Sequence, residues 1–281
     1  MNNVVRTIYS SYLQTCSLLN IPFDMKPNTT LNEKFNVQAG VAPTIDQFPS
    51  LGYFALGNGG HKYITGADGI SIPEPVQHRA IDAALFKHLP FVVREPEMDL
   101  SPSQRSNYAL RKQITVEGRT YWAYYLKRFN RENVKAHMEY RVVNNGATQV
   151  SPFVPNNSNL NPVPPDLQVS GVNVVTGDYV ASTAKFELNL FEEDVAELLH
   201  VAEVLYGNDG YAIVSEIALC TGVDKVITAP AITGNITFNE AICVQVATFC
   251  AIHSALKFSQ NGLQIMLDVG ATEPLFNLQQ P

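Results

Sequence analysis

The sequence is short of charged residues. Asp, Glu, Lys and Arg make up 16% of its 281 residues, whereas a typical soluble domain contains roughly 25%. With so few charged side chains, part of the monomer surface is expected to be covered by neighbouring proteins. The same composition also fits β-rich proteins in general, so it favours an assembly subunit without excluding an isolated β-rich protein.

Positive charge is also scarce, with a formal net charge of −7. Nucleic-acid binding depends mainly on Lys and Arg neutralising phosphates, so we predict no nucleic-acid partner. The densest basic stretch, residues 105–131, is interleaved with the aromatic run Tyr121-Trp122-Ala123-Tyr124-Tyr125, a pairing that can suit stacked bases. A half-buried strand whose long cationic side chains cover apolar surface is the favoured interpretation.

The chain contains only four cysteines, namely Cys16, Cys220, Cys243 and Cys250, and no CxxC pair. Buried free thiols are the expectation for such isolated cysteines in apolar surroundings. No segment approaches the roughly 20 apolar residues that cross a bilayer, and the first residues do not have the pattern of a signal peptide. We therefore expect a soluble protein made in a reducing cytoplasm, without membrane insertion.

Motifs that bind phosphate or metal ions are incomplete. Gly57-Asn-Gly-Gly60, followed by His61, lacks the Lys-Ser/Thr pair of a phosphate-binding loop, so tight-turn glycines are predicted. Asp68-Gly69 lacks the later oxygen ligands of a calcium loop, so a turn is predicted there as well. His78 and Asp82 could hold a metal ion only with a third ligand such as His61, and a His–Asp contact on one helix is the simpler interpretation.

Candidate acids are equally inconclusive. Glu192-Glu193-Asp194 and Glu197 are expected on the outer face of a helix. Glu216, after Ser215 in an apolar strand, could serve as a general acid, although a hydrogen bond to nearby backbone or to an arginine is commoner. No GxSxG, HExxH or GxGxxG motif occurs. We predict no catalytic, cofactor-binding or metal-binding residue, no cofactor, and a protein that is not an enzyme.

Hydrophobic periodicity predicts short strands separated by turns, together with a few helices. The predicted helices are residues 4–19, ending near Asn20, residues 77–88, and residues 192–206, closed by Gly207. The predicted strands are residues 51–56, 108–116, 120–128, 137–143, 186–190, 211–219 and 262–269, with turns at Glu117-Gly118, Asn144-Asn145-Gly146 and residues 221–224. Residues 236–255 begin as a strand and continue as strand or helix, and a helix there would place Cys243 and Cys250 on one face.

The fold class that follows is mainly β (α+β), with antiparallel β-sandwich-like sheets, about three peripheral helices and long extended loops. The expected organisation is an N-terminal helix and extended arm (1–50), a β-rich region with a short helix (51–150), a Pro/Asn-rich loop (151–180), and a C-terminal β region with an amphipathic helix (181–281). These regions could form one continuous domain. Long loops in compact domains are usually functional or form interfaces.

Several long motifs resemble a family of virion structural proteins of large tailed bacteriophages. They are Arg6-Thr-Ile-Tyr-Ser-Ser-Tyr-Leu-Gln-Thr-Cys16, Gly52-Tyr-Phe-Ala-Leu-Gly-Asn-Gly-Gly-His61, Thr65-Gly-Ala-Asp-Gly69, Gln77-His-Arg-Ala-Ile-Asp-Ala-Ala-Leu-Phe86, Asn173-Val-Val-Thr-Gly-Asp-Tyr-Val-Ala-Ser182 and Ile213-Val-Ser-Glu-Ile-Ala-Leu-Cys-Thr-Gly-Val-Asp-Lys225. The layout is similar to baseplate wedge proteins of contractile tails. The resemblance implies a virion tail or baseplate subunit, assembled in the host cytoplasm, whose partners are other virion proteins and copies of itself.

Two alternatives stay open at the level of sequence. A neck, collar or head–tail connector protein would differ from a baseplate subunit only in its position in the particle. A receptor- or carbohydrate-binding module belongs to another class, since sandwiches with exposed aromatics often bind sugars. Its one tryptophan, Trp122, is predicted to lie within a strand, which makes it a poor binding platform.

Overall fold

The structure is a computed structural model that describes residues 4–144, 147–157, 173–175, 179–231, 234–258, 262–274 and 277–279. The chain divides into two compact units. Unit 1 comprises Met1–Asn130 and Asn189–Leu263, and unit 2 comprises Arg131–Leu188 and Gln264–Pro281. Each unit is built from segments that are far apart in the sequence, because strands from those segments pair with one another.

Unit 1 contains an antiparallel sheet with strand order β1-β14-β13-β2-β8-β6, in which β5 also pairs with β2 and β7 with β8. A separate two-stranded hairpin, β3–β4, lies off this sheet. The strands are β1 (Val4–Arg6), β2 (Ser50–Gly57), β3 (His61–Thr65), β4 (Ser71–Pro75), β5 (His88–Leu89), β6 (Val92–Arg94), β7 (Tyr108–Val116), β8 (Arg119–Arg128), β13 (Ile213–Ala231) and β14 (Gly234–Ala255).

The core of unit 1 lies along β2, β13 and β14. Six consecutive residues of β2 are buried, as expected for an apolar strand covered on both faces. The predicted turn at residues 221–224 is wrong, since β13 continues through it to Ala231. Its pairing with β14 instead shifts between Thr221 and Val223, and a β-bulge of this kind absorbs one extra residue without ending a strand. Residues 236–255 are strand throughout, so the strand alternative holds for this segment, and Cys243 and Cys250 do not lie on a helix.

Four α-helices occur in the described residues, namely α1 (Ile8–Leu19), α2 (Leu31–Phe35), α3 (Pro102–Arg105) and α4 (Glu192–Tyr206). The end of α1 at Asn20 and the whole of α4, closed by Gly207 in the left-handed region, are confirmed. The start of α1 was predicted too early, because residues 4–6 pair with β14 as a strand. Within α1 only Cys16 is buried. None of the described helices is long and apolar enough to cross a membrane.

The predicted helix over residues 77–88 does not form, and a turn followed by β5 occupies this segment. The local apolar spacing is overridden because the backbone amides of Phe86 and Lys87 bond to a buried carboxylate, while His88 and Leu89 pair with β2. The extended arm after α1 is interrupted by the short helix α2, which the sequence pattern did not indicate.

Unit 2 contains most of a second antiparallel sheet, with strand order β10-β9-β12-β15, and a two-stranded ribbon, β11–β16. Its strands are β9 (Ala136–Asn144), β10 (Ala147–Pro152), β11 (Asn173–Val175), β12 (Tyr179–Leu190), β15 (Leu263–Pro274) and β16 (Asn277–Gln279). β9 and β10 pair as predicted, although the turn residues 145–146 and much of the 151–180 loop lie outside the described residues. The short strand β16 follows β15, which was expected to be the last strand. The mainly-β class with antiparallel sheets is confirmed.

Candidate functional site

A buried carboxylate, Glu216 on β13, holds three segments of unit 1 together. Its side chain is fully buried and accepts hydrogen bonds from the backbone N–H groups of Gly59, Phe86 and Lys87 at 3.0 Å. It also lies 2.8 Å from Nε2 of His78. Backbone hydrogen bonding was the favoured interpretation for this residue and is confirmed. A carboxylate bonded on all sides inside the core acts as a brace between loops.

The glycines of Gly57-Asn-Gly-Gly60 are required by this packing and not by a tight turn. A Cβ on Gly57 would lie 2.5 Å from Glu216 Oε1, and one on Gly60 would lie 2.8 Å from the backbone oxygen of Ser215. None of these glycines has a positive φ. A Cβ on Gly59 would lie 2.9 Å from the backbone nitrogen of Lys87. The predicted turn role is therefore corrected: glycine stands at these positions because neighbouring segments approach too closely for any Cβ.

His78 is held between two aromatic rings. Its imidazole stacks on Phe86 at 4.0 Å and on Phe249 at 3.8 Å, with interplanar angles of 12° and 11°. On the side away from Glu216, Nδ1 lies 3.4 Å from Asp82 Oδ2. The predicted contact of His78 with Asp82 is thus present, but it forms across a turn. Ring stacking and two flanking carboxylates fix the position of the imidazole on every side.

An open cavity of about 760 Å³ adjoins this network. Thr30, Glu33 and Lys34 line one wall and residues 82–86 line the other. Glu33 caps α2, and Asp82 forms a two-pronged ion pair with Arg79, so both acids of the cavity already have partners. The cavity therefore shows no carboxylate free for catalysis.

The hairpin β3–β4 has two chemically different faces. Residues 61 and 63 pair with 75 and 73, whereas 62 and 64 pair with 74 and 72; alternation along a strand places these two sets on opposite faces. The first set is packed inward, since the rings of His61 and Tyr63 contact His253 of β14. The turn between the strands, with Gly69 at positive φ, is confirmed.

The outer face of this hairpin is apolar and exposed. Ile64 and Ile72 pair across the two strands on this face, and Ile70 lies in the turn directly before β4. The exposed fractions of Ile64, Ile70 and Ile72 are 41%, 60% and 60%, and we call these three residues the isoleucine face. A cross-strand ion pair of Lys62 with Glu74, 3.1 Å long, borders it. Almost every residue of both strands is exposed, and a two-stranded hairpin of this kind is only marginally stable in water. A neighbour that covers the isoleucine face would stabilise it.

Acids neutralise most of the basic stretch at residues 105–131. Asp99 Oδ2 lies 2.8 Å from Arg111 Nη1 and 3.4 Å from Arg105 Nη1. Lys127 Nζ lies 2.5 Å from Asp194 Oδ1, and Arg128 Nη1 lies 2.5 Å from Asp224 Oδ1. The guanidinium of Arg111 covers one face of the Trp122 ring at 3.8 Å. This tryptophan lies within β8, as predicted, and that face of its indole ring is occupied.

No group of three or more His, Cys, Asp or Glu in the described residues is arranged to hold a metal ion. The structure brings His61 and His253 together and, separately, His78, Asp82 and Glu216. Glu192, Glu193 and Asp194 lie in the first turn of α4, where acids favour the helix dipole. Sequence reasoning missed His253 and the isoleucine face. One signal for that face was available. Lys62 and Ile64 alternate before the Gly66–Gly69 turn, and Ile72 and Glu74 alternate after it.

Comparisons with known proteins give a family but no activity. No match was found among curated proteins or among solved structures. The model of a family of unknown function, DUF7208, matches residues 1–280. The chain belongs to that family.

Proposed function

We propose that this chain is a non-enzymatic structural subunit that works through contacts with other proteins. The observation that carries the proposal is the isoleucine face, an exposed apolar surface on a hairpin that has little other support. Isolated exposed apolar residues are ordinary, but a contiguous apolar group on one face marks an interaction surface.

The energetic reason is the cost of leaving this face in water. Burial of one isoleucine side chain contributes roughly 1.5–3 kcal/mol, so covering three partly exposed ones would contribute several kcal/mol. That gain would offset the ordering of a hairpin whose own pairing is marginal. The low charge fraction of 16% points the same way.

We propose further that the assembly is a tailed-phage virion and that the chain is a baseplate wedge or tail component. This step rests on the resemblance of motifs such as Gly52–His61 and Ile213–Lys225 to phage virion proteins. The partners would be other baseplate or tail subunits and further copies of this chain.

The test is incorporation into particles. Mass spectrometry of purified virions from a phage that encodes the chain should detect it, and electron microscopy of labelled particles should place it in the tail. The triple substitution Ile64→Thr, Ile70→Thr and Ile72→Thr retains β-branched side chains and should reduce incorporation at least tenfold.

A matched control carries Ile45→Thr, Ile81→Thr and Val226→Thr, three exposed apolar residues elsewhere in unit 1. This control should incorporate like the wild type. Absence of the chain from mature particles would contradict the virion assignment. Normal incorporation of the first triple variant would contradict the role of the isoleucine face.

A further inference from the structure

We propose that the docking of the β3–β4 hairpin onto unit 1 is acid-sensitive and that His61 and His253 are the switch. The proposal rests on the proposed function, since it regulates the surface that carries the isoleucine face. It concerns the inner face of the hairpin, which has no part in the partner contact itself.

The two imidazoles meet where the hairpin joins the main sheet. His61 begins β3 and His253 lies near the end of β14, and their ring centroids are 5.0 Å apart at 77°. Tyr63 completes the contact, with its ring 5.3 Å from His61 and 6.5 Å from His253. These three rings form the inner-face contact of β3 with the sheet.

Each imidazole has one buried nitrogen without a hydrogen-bond partner, Nδ1 of His61 and Nε2 of His253. A neutral ring can leave one nitrogen bare, but a protonated ring has an N–H donor at both positions. Protonation would therefore bury an unpaired, charged N–H group in each ring, which is unfavourable. Protonation of both rings would also place two like charges on rings whose centroids are 5.0 Å apart.

The surrounding charges do not offset the cost of protonating these buried imidazoles. Glu216 of β13 is the acid that acts on His61, and its oxygens are already bonded to backbone amides and His78. On β3 and β4, Lys62 and Glu74 pair with each other on the outer face. Burial, and secondly His253, lower the pKa of His61 below its ordinary value.

The sign of the effect follows from this lowered pKa. Docking is favourable while His61 is neutral, and it weakens as the pH falls from the ordinary histidine pKa of about 6.5 toward the lowered pKa of His61 in the docked state. Each unit of difference between the docked and released pKa changes the docking equilibrium tenfold. The hydrogen bond from Val76 N–H to the Gly60 carbonyl closes the base of the hairpin, and the bond from Gly60 N–H to Ser215 Oγ attaches this base to β13.

Hydrogen–deuterium exchange of the full chain at pH 7.5 and pH 5.5 tests the proposal, with each rate divided by its intrinsic rate at the same pH. Because a released hairpin is marginal, amides of residues 61–75 should lose protection about tenfold at pH 5.5. Peptides from β13 and β14 should not change. His61→Gln, which cannot be protonated at this position, should reduce the loss to less than threefold. His253→Gln, which leaves the burial of His61 in place, should reduce it only in part, and His200→Gln, an exposed control on α4, should behave like the wild type.

Equal protection of the wild-type hairpin at both pH values would overturn the proposal, as would an unchanged loss in both glutamine variants. Should either variant release the hairpin already at pH 7.5, ring NMR of the wild type decides the matter. In that experiment His61 must titrate below the ordinary histidine range, and titration at or above it overturns the proposal. No partner is present in either measurement, so a failed incorporation test leaves this result independent.

Discussion

At the scale of single residues, the buried Glu216 organises unit 1. Glu216→Gln keeps the shape of the side chain but turns one acceptor oxygen into an NH2 group. That group would face an N–H donor, because Gly59, Phe86 and Lys87 all donate to the carboxylate. We expect a loss of about 2–4 kcal/mol in the free energy of unfolding, measured by urea denaturation.

The matched control for this measurement is Glu97→Gln, which makes the same chemical change at an exposed position. Its free energy of unfolding should stay within about 0.5 kcal/mol of the wild type. Equal stability of Glu216→Gln and this control would show that the carboxylate does not brace the loops.

A second buried acid makes stability depend on pH. Burial raises the pKa of Glu240 to about 7, and the Arg111 amide and charge only partly oppose this rise. The folded state therefore prefers protonated Glu240. The stability that this preference provides is fully present below the pKa of Glu240 in the unfolded chain and is lost as the pH rises through about 7. Glu240→Gln should remove this loss, which makes the variant more stable than the wild type by on the order of 2 kcal/mol at pH 8.

Denaturation curves at pH 5 and pH 8 check this, and the advantage of Glu240→Gln should be confined to the higher pH. An exposed acid, Glu95, supplies the comparison: Glu95→Gln should shift both curves equally. A variant with the same advantage at both pH values would mean that Glu240 does not titrate between them.

The sequence identified the residues of this network but not their arrangement. Glu216, His78 and Asp82 were all candidates because of their chemistry, and the local contact of His78 with Asp82 was predicted. The other neighbours of Glu216 come from residues 59–87, more than a hundred residues earlier in the chain, as in the contact of Phe86 with Glu216. A single sequence contains no local signal for such contacts.

At the scale of elements, turn chemistry succeeded for the loop between β7 and β8. Glu117 and Gly118 were predicted to link β7 with β8, and both have positive φ, 49° and 79°. The paired residues Val116 and Arg119 lie on either side of them, so this is a two-residue hairpin loop of the type that prefers Asn-Gly. Glu117→Asn should therefore raise the free energy of unfolding by about 0.5 kcal/mol.

Glu117→Ala is the control for this change, because it removes the same charge while keeping the cost of a left-handed backbone. It should show no gain in thermal or urea denaturation. Equal gains in the two variants would assign the effect to charge, and the turn geometry would not be the cause.

Periodicity failed where tertiary contacts decided the structure. Residues 77–88 have helical spacing, but hydrogen bonds to Glu216 and pairing with β2 hold them in an irregular path. Residues 236–255 fit strand or helix equally well from their apolar content, and long-range pairing with β13 selects the strand. In β14, Cys243 takes a positive φ of 53° at the bulge, a conformation that no pattern of apolar residues indicates.

At the scale of the whole molecule, unit 1 joins residues 1–130 to residues 189–263 around β13 and β14. No local pattern predicts this closure, because β1 and β2 reach these strands across roughly two hundred residues. The four cysteines lie within it, on α1, β13 and β14, and all are free and buried. They therefore report on whether unit 1 opens as one body.

We expect the four thiols to become reactive together. Burial raises the pKa of Cys243 to about 12 and that of Cys250 to about 11, so neither is a thiolate in the native state at neutral pH. Pulsed labelling with a thiol reagent across a urea series, read by mass spectrometry, should give one common midpoint for all four. Because Cys16 lies on a helix whose other residues are not buried, it is the most sensitive member. A lower midpoint for Cys16 alone would show that α1 detaches before the sheet opens, and cooperative unfolding of unit 1 would then be wrong.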